Sequence, residues 1–350
     1  NRGVKKSRVV KVAMAVVGIL MLAGGAIAYD YYHRIYSPNV YLSVDNTYLY
    51  IPTGSEFEDV VHGLSENGFI QNTGSFRWLS EQKMYTKNIK PGRYRIENGM
   101  SNNELINLLR SGNQEPIKVS FEYIILREHL AGRLTRVLEA DSLQLLQMLN
   151  SSEWSTKYGF NPETFMTMFI PNTYEMWWNT SEQELIERMA NEYRRFWNSD
   201  RKEKASKLGL SQSEVSILAS IVQRETTKND EKPTVAGVYY NRLQKGMLLQ
   251  ADPTLVYAVG DYSIRRVLNK HKKVDSPYNT YKHKGLPPGP ICLPSISSID
   301  AVLNLEPHKY LFFCAKPDGS GYHSFASNYT QHLKNARAFQ KELNRRKVYK

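Results

Sequence analysis

Residues 12–28 (VAMAVVGILMLAGGAIA) carry no charged side chain, and this run constrains the chain more than any other feature. As a helix rising ~1.5 Å per residue, it spans about 26 Å, just enough to cross a bilayer core. Arg2, Lys5, Lys6, Arg8 and Lys11 precede it without an intervening acid, and Tyr29, Tyr31, Tyr32 and Tyr36 follow as an interfacial belt. By the positive-inside rule, the N-terminal tail (1–11) lies in the cytoplasm, residues 12–32 form a transmembrane helix, and the remainder lies outside. A cleaved signal peptide is the competing reading, because AIA at 26–28 has the small residues of a cleavage site. An uncleaved anchor fits better: the apolar run is longer than a signal core, and the aromatic cluster follows directly.

Five of the +12 net charges belong to the cytoplasmic flank, leaving +7 for the exported part. A modest basic excess there suits an anionic wall polymer or lipid headgroups, and the location argues against nucleic acid. Two cysteines, Cys292 and Cys314, give no disulfide framework and leave their pairing open. Eight scattered histidines show no ligand spacing, so neither a metal nor a cofactor is assigned.

Residues 39–117 read as a small α/β unit. Residues 48–51 alternate as a strand, Ser55 and Glu58 suggest a capping box for a helix carrying Val60, Val61 and Leu64, and a second helix follows over 74–83. A strand at 94–96 precedes another capping box, Ser101 with Glu104. This order of strand, helix, helix, strand resembles a LysM-type carbohydrate-binding module, and a generic α/β packing unit fits the same pattern. Residues 118–345 form a larger, mostly helical α+β domain. In it the spacing predicts one helical segment over 130–149, an aromatic loop at FIPNTYEMWWNTS and a helix over 181–198.

The chemistry centres on SQSEVSILASIVQRET. Ser211 and Glu214 form a capping box, and Val215, Leu218, Ala219 and Val222 make an apolar stripe. Glu225 falls within about 20° of Leu218 on that stripe. A carboxylate drawn out of water has its pKa raised, as a general acid needs; the bland alternative leaves Glu225 in solvent at the helix end. Next, Pro233 opens the helix TVAGVYYNRLQKG, with Tyr239 facing the core and Asn241 and Arg242 near its end. Gln250, Asp252 and Thr254 lie in the strand-like run LLQADPTLVYAVG. A proline-stiffened loop then carries Tyr278, Asn279, Thr280 and Tyr281 ahead of GLPPGPI. Amides, hydroxyls and rings on a stiff loop suit a sugar site.

The ordered set ASIVQRET, VAGVYYNRL, LLQADPTLVYAVG, YNTY, GLPPGPI and GYHSF resembles the YceG-like (MltG-like) family of endolytic murein transglycosylases. The resemblance covers essentially all the chain after the apolar run. It implies a single-pass protein of the bacterial inner membrane that cuts MurNAc–GlcNAc bonds in peptidoglycan strands, with glycan synthases as candidate partners. The family's catalytic glutamate falls on Glu225; where relatives often carry a second acid two residues earlier, this chain has Gln223, and where they often carry Asp it has Asn172. The resemblance implies one carboxyl acting as acid and then as base, leaving a 1,6-anhydro end. Asn241, Gln250, Asp252, Thr254, Tyr278, Asn279, Tyr281 and His323 are then the expected substrate-binding residues, Asp252 in an orienting or structural role. Two readings compete: a water-using muramidase with Glu225 and Asp252 as its carboxylate pair, and a non-catalytic glycan-binding scaffold.

Overall fold

The computed structural model describes residues 2–44 and 47–345, with side chains from residue 8 onward. The basic side chains of Arg2, Lys5 and Lys6 therefore lie outside what is described. The chain divides into two compact units, residues 1–117 with 175–180, and residues 118–174 with 181–350.

In the first unit the apolar run lies within one long helix, α1 (Arg2–Tyr36), which stops where Ser37–Pro38 removes a backbone donor. Its apolar side chains are bare; Leu20 and Leu22 are 65% and 76% exposed. Its end is not loose. Asn102 donates to the Arg34 carbonyl at 2.9 Å, the Tyr31 and Trp78 rings meet edge-on at 5.2 Å, and Ile35 packs on the core. Strand β1 (Thr47–Ile51) pairs antiparallel with β2 (Gly92–Ile96), and α2 (Phe57–Glu66) and α3 (Thr73–Gln82) lie between them in sequence. The predicted order of strand, helix, helix, strand is present, but the first cap differs. Glu56, not Ser55, caps α2 and shares a capping box with Asp59. α4 (Asn102–Ser111) keeps the Ser101–Glu104 box and buries Leu105, Ile106 and Leu109.

The second unit begins with β3 (Ile117–Phe121), then α5 (Arg127–Thr135), α6 (Ser142–Asn150) and α7 (Ser152–Lys157). The single segment expected over 130–149 is two helices, because Asp141 accepts from the Leu143 and Gln144 N–H groups and starts a new one. The aromatic loop is also revised: β4 (Asn172–Met176) forms a two-stranded sheet with β3. α8 (Glu182–Phe196) and α9 (Ser199–Lys207) lead to α10 (Gln212–Glu225), which packs against α9, α11 (Lys232–Gln244), α12 (Asp252–Val259) and α13 (Ile296–Leu303). α10 is thus buried nearly all round, from Val215 to Val222, rather than along one stripe. The run read as strand-like is α12, opened by Pro253 and closed by Gly260 at φ 75°. A hairpin of β5 (Phe312–Ala315) and β6 (His323–Ala326) and the final helix α14 (Tyr329–Arg345) complete the unit. Cys292 and Cys314 are both free.

Candidate active site

Glu225 is the last residue of α10; at Thr226 the chain turns extended (φ −138°, ψ 140°), so the helix delivers its carboxyl into a cavity of about 230 Å³. Tyr239, Arg242, Gln250, Asp252 and Tyr281 share that cavity, with Phe313 and His332 completing its wall. Tyr239, buried on α11, donates to Glu225 Oε2 at 3.0 Å. Burial is the largest influence on Glu225 and pushes its pKa from 4.5 to about 7; the Tyr239 bond and the nearby His323 and Arg242 oppose this, and the Asp252 charge adds to it. At neutral pH the group is poised both to give and to take a proton.

Arg242 lies three residues beyond Tyr239, on the same face of α11. Its Nε donates to the Leu311 carbonyl at 2.6 Å, and a terminal nitrogen donates to the Leu249 carbonyl at 2.8 Å and Gln250 Oε1 at 3.4 Å. Gln250 stands at φ 51°, a left-handed backbone rare for a non-glycine residue, held by its N–H to the Thr280 carbonyl at 3.1 Å. Asp252 opens α12 and accepts from the Tyr281 hydroxyl at 2.5 Å. Burial, then that bond, raise the Tyr281 pKa, so the phenol stays a donor at neutral pH.

Behind Glu225 stands a second carboxylate, Glu231, only 5% exposed. Its Oε2 accepts from the Thr226 hydroxyl at 3.0 Å and pairs with His323 Nδ1 at 2.7 Å, while Oε1 accepts the His323 N–H at 2.7 Å. Glu231 is also the N-cap position of α11. One buried group thus ties together the end of α10, the start of α11 and β6. Phe313 bridges the two layers, its ring edge-on to both Tyr239 (5.7 Å) and His323 (5.1 Å).

Of the expected residues, the structure gathers Gln250, Asp252 and Tyr281 around Glu225, with His323 close enough to influence its charge. It gives three others, Thr254, Asn279 and Asn241, structural hydrogen bonds, and it places Tyr278 away from this cavity, so none of the four lines the space around Glu225. Thr254 is wholly buried and its hydroxyl donates to the Ala251 carbonyl (2.7 Å) and meets Thr280 Oγ1 (2.8 Å). Asn279, equally buried, bonds the carbonyls of Lys272 and Val274 and the N–H of Tyr281. Asn241 holds the carbonyls of His308 and Tyr310. Tyr278 points into a different cavity. Tyr239, Arg242 and Glu231 did not stand out as site residues in the sequence. The i, i+3 spacing in YYNR is a signal for the first two; nothing marks Glu231 except its place two residues before Pro233. Among the described residues there is no cluster of three or more His, Cys, Asp or Glu that could hold a metal ion.

Comparison with known proteins matches residues 49–338 to the YceG-like family. The chain is 28% identical over 337 residues to the endolytic murein transglycosylase of Bacillus subtilis (strain 168), covering 85% of this chain and 86% of that protein. It is 27% identical over 355 residues to the endolytic murein transglycosylase of Streptococcus pneumoniae (R6), covering 90% of this chain but 62% of that longer protein. A crystallised yceG-like protein of Listeria monocytogenes superposes with a TM-score of 0.56 at 26% identity, covering 83% of this chain and 98% of that one. A match of this extent establishes that the chain belongs to the YceG-like family.

Proposed function

We propose that this chain is a membrane-anchored endolytic murein transglycosylase in which Glu225 does the proton work alone. The observation that carries the reading is the setting of that carboxyl: half-buried at the end of a helix that opens into a cavity, held by the Tyr239 hydroxyl, with desolvation raising its pKa to about 7. Protonated Glu225 gives its proton to the glycosidic oxygen as the C1–O bond breaks and C1 gains oxocarbenium character. The carboxylate left behind takes the proton of the C6 hydroxyl as O6 bonds to C1. Bonds and protons balance without water, and the product is a 1,6-anhydro end. Tyr239 fixes the carboxyl, and Arg242, Gln250, Asp252 and Tyr281 line the space for sugar. The activity named for its relatives is the one this arrangement serves.

The bare apolar stretch of α1, followed by its tyrosines, supports a single-pass anchor with the second unit outside, where growing glycan strands are within reach and cutting them ends a strand. Asp252 in the same cavity favours one rival, hydrolysis through a carboxylate pair. Mass spectrometry decides between them, since hydrolysis leaves ends heavier by one water. The direct test is Glu225→Gln assayed on isolated wall material: release of anhydro ends should vanish while the fold persists. Full activity in that variant would end the proposal.

A further inference from the structure

We infer a second ligand site in the second unit, a cavity of about 300 Å³ that takes the short amphoteric peptide branching from the glycan, so that the enzyme reads peptide as well as sugar. The inference rests on the substrate class proposed above but not on Glu225. None of the residues lining this cavity lines the cavity of Glu225. The two share elements. α12 gives Asp252 to the cavity of Glu225 and, about 7.5 Å along its axis and about 140° round it, Tyr257 to the second cavity. The loop after it does the same with Tyr281 and Tyr278.

The lining says what the ligand is. Arg127 presents a guanidinium, Glu128 and Glu163 present carboxylates, and Ile125, Leu126 and Met166 give apolar wall. A bare neutral sugar has nothing for this mixture of charges. A short peptide has a carboxylate for the guanidinium, an amino group for the acids and small alkyl side chains for the wall. The walls are also built rather than loose. Arg127 is braced by Asn150 Oδ1 at 2.9 Å and by the Pro162 carbonyl. The Tyr257 and Tyr278 rings meet at 4.7 Å and 47°, leaving ring faces for a peptide plane. The loop bearing Pro290 packs onto this wall only because residue 289 is glycine; a Cβ there would strike the Glu163 carbonyl and come within 2.8 Å of the Tyr278 hydroxyl. Backbone bonding from Leu293 N–H to the Ile124 carbonyl at 2.7 Å closes the floor.

The test uses the full chain in detergent. Calorimetric titration with a soluble muramoyl peptide should show binding that Arg127→Gln weakens at least about tenfold, the scale of one charge-assisted hydrogen bond. In parallel, the wild type should cut peptide-bearing strands with a lower KM than strands stripped by an amidase. Arg127→Gln and Tyr257→Leu should lose that difference while keeping the rate on stripped strands. A wild type that binds no muramoyl peptide, or an Arg127→Gln variant that keeps both binding and preference, overturns the inference. A wild type that binds the peptide yet cuts neither substrate upholds this site and overturns the catalytic proposal instead.

Discussion

Two carboxylates six residues apart, at the end of α10 and the start of α11, have been given opposite surroundings. Glu231 accepts three hydrogen bonds, from the Thr226 hydroxyl and from the ring and backbone of His323. Glu225 takes its bond from a single phenol, Tyr239, and burial dominates its titration. A carboxylate supplied with three donors is fixed in place and serves as an anchor. One half-buried with a single donor has its pKa raised to about 7, and that discomfort is what makes it chemically ready.

The largest effect should come from reversing the discomfort. Glu225→Gln should cut activity by at least about 10²–10⁴-fold, the usual worth of a positioned proton donor. The same change should stabilise the fold at alkaline pH. Because the folded pKa (about 7) lies above the ordinary 4.5, the folded state binds more protons than the unfolded one between them, so stability is lost as pH rises through that window. Removing the group abolishes the loss. Melting curves of wild type and variant should nearly coincide at pH 4 and separate at pH 8, with the variant higher by about 1–3 kcal/mol. A variant that melts lower at both pH values would show that Glu225 is an anchor too.

Glu231→Gln should behave the other way. An amide cannot accept from both Thr226 and His323 with its nitrogen, so a buried donor goes unmet at a cost of about 1–3 kcal/mol at neutral pH. The end of α10 and β6 then loosen, and kcat should fall roughly 10- to 100-fold with KM nearly unchanged, as displaced catalytic groups lose alignment. Denaturant unfolding and steady-state kinetics read both quantities. Equal stability and rate to the wild type would erase the contrast between the two carboxylates.

Tyr239→Phe sharpens the contrast at one bond. Without the phenol, the carboxylate loses the strongest influence opposing its raised pKa, so the pKa should climb above 7. The alkaline limb of kcat/KM should move to higher pH with a loss of a few-fold in rate. A limb that stays in place would mean that another group sets it.

What the sequence made legible was local. The Ser101–Glu104 and Ser211–Glu214 boxes form, since a cap is settled within three residues, and the box expected at Ser55–Glu58 is displaced by one residue to Glu56–Asp59. α12 was misread because Leu, Val and Tyr crowd its sequence; Pro253 and Gly260, the true punctuation, bracket a helix only two turns long. β4 depends on a strand some fifty residues earlier, and the Glu231–His323 pair spans 92 residues. Partners of that kind are chosen by the fold, and no short window of sequence contains them. Glu225 was legible for the opposite reason: an acid continuing an apolar helix row needs no distant partner to look out of place.

The smallest expected effect tests the boundary between site and scaffold. Thr254 lies two residues from Asp252 and was expected at the substrate, yet its buried hydroxyl joins the Ala251 carbonyl to Thr280 Oγ1, which in turn accepts the Ala251 N–H at 3.0 Å. Thr254→Val keeps the shape and removes two hydrogen bonds, so stability should fall by about 1–2 kcal/mol. The rate per folded molecule should hold within about two-fold, since Asp252 is separately held by Tyr281. Measured together by denaturant unfolding and by anhydro-end release, the pair of numbers separates the two roles. A collapse in rate without a loss of stability would move Thr254 from the scaffold to the working surface of the site.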